Sequence, residues 1–91
     1  MLISQEVAKI IHREIDLEDG VLATIVRVET SSTVEHAKVF ISIFPPQKAE
    51  ESFEMLCKRI GLIQGILNKT LNLRFVPKLM FELEKNATDN I

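Results

Sequence analysis

Between Met55 and Phe81 the chain carries Lys58, Arg59, Lys69, Arg74 and Lys78 and not one Asp or Glu. The whole sequence has 11 basic and 13 acidic residues, so setting these five cations aside leaves six against thirteen. A formal net charge of -2 is therefore divided into a +5 stretch and a -7 remainder. Ammonium and guanidinium groups with no carboxylate near them in sequence suit the binding of a polyphosphate, and the overall acidity of the chain hides that capacity. Other chemistry is poorly supplied. His12 and His36 are separated by a strand and lack a third ligand at metal-binding spacing, so no metal is expected. Cys57 is the single cysteine, which excludes an internal disulfide and a cysteine-based cluster, and it falls on an apolar helical stripe where core packing is the expected role. No Ser, His and carboxylate set presents itself, so neither a catalytic site, a cofactor nor a small-molecule substrate is expected.

The elements that must position the cations can be read from periodicity. Ninety-one residues allow one domain, residues 1–91, burying roughly 60 to 65% of the surface of its unfolded chain, enough for one two-layer core and too little for a deep cavity. The stretch from Ser4 to Ile15 places Val7, Ile10, Ile11 and Ile15 at helical spacing, with Ser4 as N-cap. The acidic turn Asp16-Leu17-Glu18-Asp19-Gly20 ends it. Val21 to Thr30 predicts a strand with Val26 and Val28 on one face and Arg27 and Glu29 on the other. After Ser31-Ser32-Thr33 a second strand sets Ala37, Val39, Ile41 and Ile43 against Lys38, Phe40, Ser42 and Phe44, and the two strands pair most simply as an antiparallel hairpin. Pro45-Pro46 then leads into a helix marked by Ala49, Phe53, Leu56, Cys57 and Ile60. Gly61 is read as the interruption, with Ile63, Ile66, Leu67 and Leu71 resuming the helix. A last strand runs from Leu73 to Glu84, half buried, with an edge or a bulge at Pro77, and the polar tail Lys85 to Ile91 is expected to fray. The order helix, strand, strand, helix, helix, strand predicts an α+β domain with helices on one sheet face and the other face open. No long apolar run or leader pattern is visible, so a reducing cytoplasm is the expected location.

That order, together with particular runs of residues, resembles the ribosome-binding factor A family of bacterial small-subunit maturation factors. The likeness rests on Arg13-Glu14-Ile15, Val28-Glu29-Thr30-Ser31, His36-Ala37-Lys38-Val39-Phe40-Ile41-Ser42, Gly61-Leu62-Ile63-Gln64, and Leu73-Arg74-Phe75-Val76-Pro77-Lys78-Leu79-Met80-Phe81. It is the ordered set that is specific, more than any one run. The resemblance implies a KH type II-like fold, of order α-β-β-α-kink-α-β with a three-stranded sheet. In KH domains a GxxG loop between two helices clamps nucleic-acid backbone; the family is similar but has an Ala-x-Gly kink instead. Here Gly61 is kept and Arg59 stands where the alanine would be.

The resemblance further implies an RNA-binding factor acting in late maturation of the small ribosomal subunit and processing of its rRNA, with a part in cold adaptation; a monomer is expected because no long apolar heptad suggests an obligate dimer. The expected RNA contacts are Lys58, Arg59, Gly61, Lys69, Arg74 and Lys78, with Lys38 and Arg27 extending the basic surface from the strands. Phe40 and Phe44 point away from the aliphatic face of the second strand. Either could stack on a base, but packing beneath the first helix or against a sheet edge is the favoured expectation. A rival reading is a protein-interaction module using Phe40, Phe44 and Met80 on the open sheet face.

Overall fold

Apolar residues at helical spacing set the first element. In the computed structural model, which describes residues 2–71 and 75–84, α1 spans Leu2–Glu14 and buries Ile3, Val7, Ile10 and Ile11, with Ile15 following on the same face. The helix starts earlier than its sequence suggests. Ser4 lies inside its first turn rather than capping it, because beginning at Leu2 brings Ile3 onto the buried stripe one turn before Val7. Gly20, at φ +84, turns the chain into β1 with a conformation that side chains other than glycine rarely adopt.

Strand β1 (Leu22–Thr30) pairs antiparallel with β2 (His36–Phe44), as the alternation predicts. Ser31 organises the turn between them: its Oγ accepts hydrogen bonds from the N–H groups of Glu35 at 3.1 Å and His36 at 3.2 Å. The pairing is not regular throughout. Ile25 faces Ile41 but Arg27 faces Phe40, so Val26 is an extra residue, a β-bulge, and it lies exposed. Val26 therefore does not share the core face with Val28. The inward positions are Ala23, Ile25 and Val28, which change phase at the bulge.

The chain leaves β2 through Pro45 and a short 3-10 turn, Pro46–Lys48, so that α2 begins only at Ala49 and runs to Lys58. Helix α3 follows at Ile60–Thr70. The break between the helices is at Arg59 (φ -100, ψ 9) and not at Gly61, which sits in the first turn of α3 with no left-handed φ and open space where a Cβ would be. Strand β3 (Lys78–Leu83) is shorter than the predicted strand: Phe75-Val76-Pro77 stand outside the ladder, pairing with β2 starts at His36↔Lys78, and Pro77 is accommodated because its nitrogen falls on the free-edge side, where its carbonyl meets Gln64. The predicted start of that strand at Leu73, the cation Arg74, and the tail from Lys85 to Ile91 lie outside the described residues.

The sheet order is β1-β2-β3, with β2 and β3 parallel. A parallel pair needs a long crossover, and α2 and α3 supply it. Central β2 sends Ala37, Val39, Ile41 and Ile43 into a core shared with Val7 and Ile10 of α1, Leu56 of α2, and Ile63 and Leu67 of α3. All the helices thus cover one face. The other carries Arg27, Glu29, Lys38, Phe40, Phe44, Lys78, Met80 and Glu82 outward.

Candidate nucleic-acid interface

The cations divide by whether a carboxylate answers them. Lys9 pairs with Glu6 at 3.4 Å, Arg13 with Glu14 at 3.2 Å, and Lys48 with Glu18 at 3.3 Å and Glu51 at 3.4 Å. The two carboxylates facing Lys48, Glu18 foremost, raise its pKa above the ordinary lysine value. Lys38, Lys58, Arg59, Lys69 and Lys78, by contrast, form no ion pair with another described residue. Of the α-helices only α3 lacks Asp and Glu altogether, so Lys69 has no carboxylate at a neighbouring helical position; Lys58 follows Glu54 by four residues on α2 and still forms no pair with it.

Lys58 ends α2 and Arg59 forms the break, so these two exposed cations sit together at the elbow. Met55 and Leu62, both exposed, flank them along the helices. The first N–H groups of α3, at Ile60, Gly61 and Leu62, lack intrahelical acceptors. Lys69 is exposed in the last turn of α3, about 15 Å along the helix from Arg59. One turn past the elbow, Gln64 ties α3 to the start of β3. Its side-chain oxygen accepts the Leu79 N–H at 2.7 Å, and its amide nitrogen donates to the Pro77 carbonyl at 3.1 Å. Gln64 thereby clasps the free edge of β3 on either side of Lys78. Nothing in its own sequence neighbourhood announces this role, since both partners are backbone atoms 13 and 15 residues away.

Lys78, Lys38 and Arg27 belong to a different surface, the sheet face turned away from the helices. Arg27 is not free there. Its Nε bonds Glu29 at 3.0 Å, its Nη1 bonds Glu84 at 2.6 Å, and the guanidinium lies 3.9 Å from the centroid of the Phe40 ring. The side chain is a strap from β1 over β2 to β3, and its carboxylate partners, Glu29 foremost, raise its pKa. Phe40 is accordingly covered by the strap rather than packed beneath α1. Phe44, 61% exposed, packs beneath neither α1 nor a sheet edge. It pairs across the strands with Leu22, 54% exposed, to give an apolar spot at one end of this face, while Met80, 44% exposed, lies near the other.

Carboxylates collect away from the elbow. Glu50, Glu51 and Glu54 line a shallow groove with Gln47, Phe53 and Leu83 toward the N-terminal end of α2, roughly 6 to 12 Å along the helix from Lys58. Acid in the first turn and Lys58 in the last also complement the helix dipole. Cys57 looks toward the acidic side: burial, then Glu54 and Glu82, pushes its thiol pKa above the ordinary 9.0. Among the described residues no group of three or more His, Cys, Asp or Glu could hold a metal, and no helix is long and apolar enough to cross a membrane.

A family model described as ribosome-binding factor A matches residues 1–90. The chain belongs to that family. The ribosome-binding factor A of Pseudomonas paraeruginosa is 38% identical over 85 residues, covering 90% of this chain and 66% of that protein. That of Coprothermobacter proteolyticus is 33% identical over 84 residues, 92% of this chain and 61% of its own length. The chain thus spans under two thirds of the length of these two curated relatives. The solution NMR structure of a Thermotoga maritima candidate ribosome-binding factor A superposes with a TM-score of 0.74 at 25% identity, covering 94% of this chain and 82% of that one. The α+β order found here is therefore a ribosome-binding factor A fold, with its helical break at Arg59.

Proposed function

We propose that this protein is a non-catalytic ribosome assembly factor that docks on the rRNA of the small ribosomal subunit during its late maturation and the processing of that rRNA, working as a monomer in a bacterial cytoplasm. The elbow makes the contact. Lys58 and Arg59 meet RNA phosphates, Lys69 and Arg74 extend the contact along the chain, and the N–H groups opening α3 add backbone donors for a phosphate oxygen. The observation that carries the reading is that, among the described residues, Lys58, Arg59 and Lys69 form no ion pair, whereas Lys9, Arg13 and Lys48 are each paired with a carboxylate. Unpaired surface cations gain little for folding and much for binding a polyanion, because each one that meets a phosphate releases a condensed counterion. The relatives' name, ribosome-binding factor A, supplies the kind of particle on which that chemistry acts.

The acidic side, with Glu50, Glu51, Glu54 and Glu18, orients the encounter by repelling RNA from the wrong surface. Replacing Lys58 and Arg59 together by glutamate is expected to abolish co-sedimentation with small subunits at moderate salt and to leave the melting temperature within a few degrees of the parent. Full retention of co-sedimentation would rule out the elbow as the docking surface.

A further inference from the structure

The basic residues of the open sheet face are separate from the elbow and need an explanation of their own. His36 and Lys38 alternate along β2, Lys78 lies across from His36, and Met80 lies across from Lys38. Three basic side chains therefore share one end of the face opposite the helices. His36, Lys38 and Met80 line a depression there with Glu29, Thr30 and Ser31. Glu29 is the cross-strand partner of Lys38 and would be expected to neutralise it. Its carboxylate is instead held by Arg27 Nε at 3.0 Å. The Val26 bulge sets both residues on the outer face, since in a ladder without the bulge Arg27 would face Val39 and Glu29 would face Ala37 on the core side. Lys38 is left half-buried and without an ion pair to any described residue. A lysine with a half-buried side chain and no ion pair among the described residues is an arrangement that an anionic ligand completes.

We infer that the His36–Lys38–Lys78 end of the open sheet face is a second RNA phosphate site, so that the domain holds two separate RNA segments, one at the elbow and one on the opposite layer. Single-stranded RNA is the occupant that the surface fits. Flat sheet faces accept splayed nucleotides, and Met80 offers an apolar surface beside the cations for a base or ribose. Glu82 and Glu84, with the Arg27 strap, close off the other half of the face to phosphate. The exposed apolar pair Leu22 and Phe44, which a protein partner would prefer, is at the far end of β2 from this cluster. The inference rests on the elbow reading only for its choice of RNA as ligand.

The test is nuclear magnetic resonance of the full chain, labelled with nitrogen-15, titrated with oligouridylate at low salt. The backbone signals of His36, Lys38, Lys78 and Met80 are expected to move, and to move still in the Lys58→Gln/Arg59→Gln variant. In Lys38→Gln/Lys78→Gln they are expected to stay still, with oligouridylate affinity lower by about tenfold and the salt slope shallower by about one per lysine removed. Lys38→Arg/Lys78→Arg should restore binding. Movement confined to the elbow would overturn the second site and leave the proposed docking surface standing. Movement on neither surface would overturn both, and response of this face to ribosomal proteins but not to oligouridylate would replace RNA by a protein partner. If the glutamine variant did not fold, the map on the unsubstituted chain would still decide.

Discussion

Gln64 shows how much one side chain does in a domain of this size. Strand β3 is an edge, and the Leu79 N–H points out of the ladder into a partly buried region where the Gln64 oxygen, at 2.7 Å, answers it. The same side chain bonds Asn68 Oδ1 at 3.1 Å, one turn further along α3. Gln64→Ala leaves a buried donor unsatisfied and should lower stability by about 1–3 kcal/mol, seen as a lower urea midpoint with an unchanged slope. A loss under about 0.5 kcal/mol would show the clasp to be incidental. Cys57 gives a second residue-scale prediction. Because burial raises its thiol pKa, the folded chain keeps that proton to higher pH than the unfolded one does. The stabilising contribution is whole below the ordinary value of 9.0 and is lost as pH rises from there through the folded-state pKa. The parent should therefore lose stability relative to Cys57→Ala when urea unfolding is compared below and above pH 9.0, and parallel curves would contradict the assignment. The core packing expected of Cys57 is met only in part, for it is half-buried and lies outside the buried core; the Gln64 clasp was not legible in sequence, because it depends on which loop the tertiary fold brings beside α3.

At the scale of elements, the second strand could be read outright because Ala37, Val39, Ile41 and Ile43 alternate strictly and all of them are buried. The first strand was half legible. Ala23 and Ile25 define one phase and Val28 the other, but Val26 next to Val28 looks like a continuation of alternation when it is the bulge. Deleting Val26 forces either Arg27 and Glu29 or Ala23 and Ile25 to change face, and should cost at least about 3 kcal/mol in urea unfolding. Parent-like stability would mean the bulge does not set the register. The helical break was assigned to glycine because glycine is the commonest breaker, yet the chain bends at Arg59 and Gly61 adopts ordinary helical backbone. Gly61→Ala meets open space and reduces only the freedom of the unfolded chain, so it should stabilise by about 0.4–1 kcal/mol. A lowered melting temperature would return the hinge to Gly61.

Over the whole molecule, the charge division visible between Met55 and Phe81 survives folding in one respect and is rearranged in another. Its described cations have no carboxylate partner among the described residues. The fold then separates them, since Lys58, Arg59 and Lys69 ride on the helical layer while the two-residue period of β3 turns Lys78 to the other face. Linear sequence could not show that a single basic run would serve both sides of a sheet. Arg27 could not be judged from sequence either, because the strap to Glu29 and Glu84 that neutralises it joins residues 57 apart. The account stands on counterion release at these cations, and the measurement that reaches it most directly is binding of the parent chain and of Lys58→Gln/Arg59→Gln to small ribosomal subunits across a salt series. About four phosphate contacts predict a double-logarithmic slope near -3 for the parent, shallower by about 1.5 for the variant. A flat parent line, or the same slope in both proteins, would contradict it.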